Sequence, residues 1–125
     1  MQTTTPQETA DLFQRGIDQF NRREFFESHE SWEVIWLAAP EPDKTFLQGI
    51  IQVAAALHHY HRGNRAGAQS LLRRGLKKME RFPADYRSLN LEEIRAACRQ
   101  WRTFLSGSSS HTPEVPAIRH RSGKV

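Results

Sequence analysis

Between Pro42 and Gly63 runs a segment, residues 43–61, that is apolar around most of a helical circumference. Phe46, Leu47, Ile50, Ile51, Val53, Ala54 and Leu57 leave one polar stripe: Lys44, Gln48, Gln52 and His59, interrupted by Ala55. A helix of this kind has no face for bulk water, so other elements must wrap it on nearly every side. Pro40 and Pro42 bar helical continuation upstream, and Gly63-Asn64 breaks it downstream. The same four polar residues interrupt the run well short of the ~18 apolar residues of a membrane span.

The wrapping can come only from the rest of a 125-residue chain, long enough for one core. Thr5-Pro6-Gln7-Glu8 reads as a capping box with proline at the first helical position, and Leu12, Phe13, Ile17 and Phe20 follow on one side. Further periodic runs end at Pro40, at Pro83 and after Leu105, with Asn90 as the cap of the last. The spacing predicts helices near 6–20, 24–37, 43–61, 64–82 and 91–105, and no strand. The fold class is all-α: a compact multihelical domain of about five helices, with buried central helices and antiparallel hairpins. That domain is expected to occupy residues 1–105. Residues 106–125, opening GSSSHTPEVP beyond Ser106, lack periodicity and are expected to form a disordered tail. Phe20–Trp32 and Tyr60–Leu72 echo each other as helix-turn-helix segments, which fits paired helices better than a true repeat.

Charge is unevenly distributed. Residues 1–61 carry −5, residues 62–105 carry +7 and the remainder +2, so an acidic half and a basic half either face each other or serve two surfaces. The single cysteine, Cys98, excludes an internal disulfide, lies on an apolar helical stripe and suits a reducing cytoplasm. The opening MQTTTPQE lacks the basic and apolar regions of a signal peptide. The expected location is cytoplasmic.

Several polar residues sit where a core helix should be apolar. On a wheel of the second helix, Phe25, Phe26, Trp32, Trp36 and Leu37 share one arc; His29 and Glu33 fall inside it and Glu30 on its edge. Ser28, Ser31, Glu24 and Glu27 lie opposite. A carboxylate among tryptophans loses hydration and needs a partner. Antiparallel packing would set the Lys44/Gln48/Gln52/His59 stripe against His29, Glu30 and Glu33, amides donating to carboxylates and Lys44 neutralising one of them. The expectation is a connected buried group that either fixes helix register or floors a binding pocket.

Phe20–Trp36, FNRREFFESHESWEVIW, and Lys44–His59, KTFLQGIIQVAAALHH, resemble a bacterial and archaeal helical family known as domain of unknown function 309. The resemblance extends through Gly63–Leu76 and Tyr86–Leu91 and covers roughly Leu12 to Leu105. It implies a multihelical fold with buried central helices and carries over no activity. It also implies that Glu27, His29, Glu30, Glu33, Gln48, Gln52 and His59 form the family's polar cluster.

A binding or interaction module is the leading reading, with an unidentified protein partner or a second copy (a homodimer) as occupant; Gly67, Ala68 and Gly75 would allow close helix approach. Catalysis is disfavoured: no catalytic residue or cofactor is assigned, and Ser28, Ser31 and Cys98 make no recognisable nucleophile. A metal-binding protein or metal-dependent enzyme using His29, Glu30 and Glu33, with His58, His59 and His61 nearby, is one alternative. Yet HESWE lacks the second histidine of HExxH, nor is it the Glu-x-x-His of bundle di-iron sites, where two such motifs are expected. The other alternative is nucleic-acid binding through Arg73, Arg74, Lys77, Lys78 and Arg81 with Arg95, Arg99 and Arg102. No aromatics interleave with these rows, which disfavours it, and no membrane contact is expected.

Overall fold

The computed structural model describes residues 4–121. It contains five α-helices: α1 (Pro6–Asn21), α2 (Phe25–Trp36), α3 (Asp43–His61), α4 (Arg65–Met79) and α5 (Leu91–Leu105), with a short 3-10 turn at Tyr86–Ser88 before α5. Among the described residues there is no strand, only an isolated bridge between Leu89 and His120. None of these helices is long and apolar enough to cross a membrane.

Caps set the helix starts as the sequence predicts. Thr5 Oγ1 accepts from the Glu8 amide at 3.0 Å while Glu8 Oε1 accepts from the Thr5 amide at 2.8 Å, closing the capping box. Asn64 Oδ1 accepts from Gly67 N and Asn90 Oδ1 from Glu93 N. The end of α4 departs from expectation, stopping at Met79 rather than residue 82. Arg95, 7% exposed, donates from Nη1 to the carbonyls of Met79 and Phe82 at 3.1 and 2.8 Å. A buried guanidinium on α5 thus satisfies carbonyls at the end of α4, sharing Met79 O with the Phe82 amide.

Consecutive helices pack together, and α3 is the buried centre: Phe46, Ile50, Val53, Ala54, Ala56 and Leu57 are almost fully enclosed. It meets α4 most closely where Gly49 faces Gly75, since a Cβ on Gly75 would lie 2.7 Å from the Gly49 carbonyl oxygen. Gly67 has a different role from the one expected, because its missing side chain makes room for its own cap, Asn64. On the other side, Trp32 of α2 lies across Gly16 of α1 and donates from Nε1 to Phe13 O at 3.1 Å.

The expectation of a tail without packing is corrected. Residues 111–121 run back over the helices, with Ile118 1% exposed and Pro116 also buried. Asn21 of α1 clasps Ile118 by both amide atoms, accepting from Ile118 N at 2.8 Å and donating to Ile118 O at 2.9 Å. Trp101 Nε1 donates to Glu114 O, Asn90 N to Arg119 O and Arg121 N to Ser88 O. The segment's backbone finds partners in side chains and loops rather than in a helix, so it needs no apolar periodicity to be held. Residues 122–125 of the expected tail lie outside the described residues.

Candidate functional site

The inward face of α2 differs from the one the wheel predicts. Its buried residues are Phe25, Ser28, Ser31, Trp32 and Ile35. The serines were expected outside; their small side chains instead let α2 close on α1. Ser28 Oγ donates to Phe25 O at 3.0 Å, and Ser31 Oγ to Gln19 Oε1 of α1 at 2.6 Å, so neither hydroxyl is left unpaired. Phe26, Glu30, Glu33, Val34 and Leu37 are consequently exposed.

This rotation dissolves the expected connected polar group. His29 Nε2 does lie 3.4 Å from Glu33 Oε2, but the Glu33 side chain is 52% exposed. Glu27, Glu30 and Gln48 are exposed. Gln52 Oε1 instead accepts from Lys78 Nζ of α4 at 3.1 Å, and His59 Nδ1 lies 3.1 Å from Asn64 Nδ2. Lys44 neutralises no carboxylate here. Its ammonium donates to Trp36 O and Leu37 O, closing the C-terminal end of α2, and sits 4.2 Å over the Trp36 ring. Lys44, Gln52 and His59 are thus used locally, and carboxylates that reach solvent need no buried partner.

What α2 and α3 do build is a small hollow of about 130 Å³ lined by Phe25, Phe26, His29, Ala55, His58 and His59. Phe26 lies between His29 and His58, with ring centroids 6.1 and 5.4 Å away. Burial, then the charges of Arg62 and His59, push the His58 imidazole below its usual pKa. His29 Nδ1 and Trp36 Nε1 are buried along this seam without hydrogen-bond partners. Among the described residues no three His, Cys, Asp or Glu side chains are grouped to hold a metal ion, which counts against the His29/Glu30/Glu33 metal reading. Cys98 is fully buried, and burial pushes its thiol up to about 12, so it is no nucleophile at neutral pH.

The basic faces also divide. Arg73, Arg74 and Lys77 on α4, and Arg81 just beyond its end, are exposed. On α5, however, Arg95 is buried and Arg99 lies 3.4 and 3.5 Å from Glu80 and Glu92, leaving Arg102 as the exposed member.

A second constellation lies elsewhere and was not among the expected site residues. Tyr86 OH donates to Asp43 Oδ1 at the start of α3, while Arg87 Nη1 lies 3.1 Å from Asp43 Oδ2. Burial first, then the hydrogen bond and charge of Asp43, push the Tyr86 hydroxyl up to about 12. The Arg87 guanidinium stacks 4.2 Å over the Phe13 ring. Arg87 and Ser88 both have left-handed φ, 55° and 61°, a strained pair that turns the chain at this point. Asp43 and Arg87 border a cavity of about 320 Å³ whose other walls include Thr9, Ile35, Ala39 and Leu47. No sequence period could have joined residues so far apart.

The sequence of this region is similar to that of other proteins. Residues 13–71 match the family model described as Domain of unknown function (DUF309). The chain carries a DUF309 region. It takes in α1 from Phe13, all of α2 and α3, and α4 as far as Leu71, so Asp43 lies inside it and Arg87 outside. An uncharacterized protein of Aquifex aeolicus is 33% identical over 88 residues, 70% of this chain and 26% of that protein. The uncharacterized protein YpuF of Bacillus subtilis is 35% identical over 74 residues, 58% of this chain and 42% of YpuF. The chain therefore spans less than half the length of either relative.

Proposed function

We propose that this DUF309 domain is a non-enzymatic helical interaction module, cytoplasmic in setting, that pairs with a second copy of itself through the outer face of α2. One observation carries the reading. The three large apolar side chains left exposed among the described residues, Phe26, Val34 and Leu37, lie on α2 or at its C-cap, and Leu37 is 70% exposed. Scattered singles would be ordinary; three on one helix mark a docking face. Glu27, Glu30 and Glu33 flank them, giving an acidic rim.

Charge complementarity selects the occupant. Lys78 reaches Gln52, so the basic ridge of α4 borders the α3 polar stripe on the side away from α2. A twofold axis running along α3 would lay each copy's acidic α2 against the other's Arg74, Lys77 and Arg81, a self-complementary interface. On this reading the α4 ridge meets carboxylates rather than nucleic-acid phosphates.

Sedimentation over a roughly hundredfold concentration range decides between dimer and monomer. A dimer should form, weaken as salt screens its rim, and dissociate in Leu37→Glu without loss of helicity. A chain that stays monomeric throughout, or a Leu37→Glu variant that dimerises equally well, removes the reading.

A further inference from the structure

The cavity beside Arg87 is independent of the α2 face and is built differently. Ile35, Ala39 and Leu47 give it an apolar wall, Thr9 a hydroxyl, and Asp43 and Arg87 a charged end. At about 320 Å³ it reaches the small end of the ~300–1,000 Å³ range of small-molecule sites.

The guanidinium at its charged end is incompletely used. Nη1 is paired with Asp43, one face is covered by Phe13 and Nε is buried without a partner, while Nη2 makes no hydrogen bond among the described residues, so the open fork is the Nη1/Nη2 end. An unpaired buried donor on a charged group is costly, and here the backbone is also strained to place it. Asp43 is held separately by Tyr86, so its position does not depend on the guanidinium. Arg87 is therefore a donor fork facing a carboxylate it can exchange for another.

We propose that this cavity binds a small monocarboxylate with an apolar body. The carboxylate takes the fork of Arg87 in the planar, two-bond manner a guanidinium favours, and the apolar body lies against Ile35, Ala39 and Leu47. The charge of Asp43 selects a single negative charge over a phosphate dianion, because each added charge faces a fixed carboxylate in a half-enclosed site.

The variants make opposite predictions. Asp43 competes with the ligand for Arg87, so Asp43→Asn should tighten binding, while Arg87→Lys keeps the charge, loses the fork and should weaken it about tenfold. Amide chemical shifts of the full chain would be followed during titration with benzoate, hexanoate, benzamide and inorganic phosphate. The expected result is saturable shifts around Ile35, Ala39 and Leu47 with the two carboxylates, and far weaker response to benzamide and phosphate. The proposal is overturned if neither carboxylate saturates, if benzamide binds as well, if Arg87→Lys binds unchanged, or if folded Asp43→Asn binds more weakly.

Discussion

Replacing Ile118 by Ala measures how firmly the returning segment is held. The side chain is 1% exposed, so the change removes three carbons from a nearly dry site. At ~0.8 kcal/mol per buried methylene the transfer loss is about 2.4 kcal/mol, and a residual cavity would add to it. Two things restrain that addition. The segment carries no helix that would have to move with it, so it can settle inward, and the Asn21 clasp binds the Ile118 backbone whatever side chain it bears. A loss of about 2.5 kcal/mol follows, equivalent to a fall in Tm of about 10 °C for a domain of this size. Urea unfolding followed by circular dichroism should show a lower midpoint with an unchanged m value, because little of the total buried surface is altered. Val115, only partly buried, should cost markedly less when cut to Ala. A Tm for Ile118→Ala within about 2 °C of the parent would refute the claim that residues 111–121 belong to the folded unit.

Glu33→Gln should change stability by less than ~0.5 kcal/mol in thermal unfolding, because its side chain is half exposed and its contact with His29 is a surface pair. Gly16→Ala should cost ~3 kcal/mol or more and alter the near-ultraviolet signal of tryptophan, since the new Cβ would lie 2.1 Å from Trp32 Nε1. Stability should fall as pH rises from about 9 toward 12. Cys98 and Tyr86 are both pushed up to about 12 in the folded chain, so the unfolded chain releases those protons first, and the stabilisation is complete only below the unfolded values. Urea midpoints across that range should decline less steeply in Tyr86→Phe.

The helices were legible because their signals are local: Thr5, Asn64 and Asn90 cap, Pro40 and Pro42 close off α2, and the near-continuous apolar surface of α3 identifies the centre. The orientation of α2 was less legible. A wheel weighted by aromatic bulk points Phe26 and Leu37 inward, whereas the structure packs Ser28, Ser31 and Ile35 there. Small residues contribute little to an apolar arc, yet they decide how closely two helices can meet, as Ser31 on Gln19 illustrates. The polar cluster failed for the same reason, since it depended on the rotation of α2. Arg87 was beyond reach for another: its position depends on a left-handed backbone in a non-glycine residue, which no propensity favours. The returning segment depends on Asn21 and Trp101, whose polar atoms give no hint of a distant partner.

The clasp between Asn21 and Ile118 joins residues 97 apart in a chain of 125, whereas the α1–α2 and α3–α4 pairs form between sequence neighbours. Helical hairpins of that local kind assemble early, and a contact whose loop-closure entropy is so large is added after the rate-limiting step. Interactions absent from the transition state change the rate of leaving the native state rather than the rate of reaching it. The last turn of chain therefore acts as a latch on lifetime: loosening it leaves refolding as fast as before and lets the folded molecule come apart sooner.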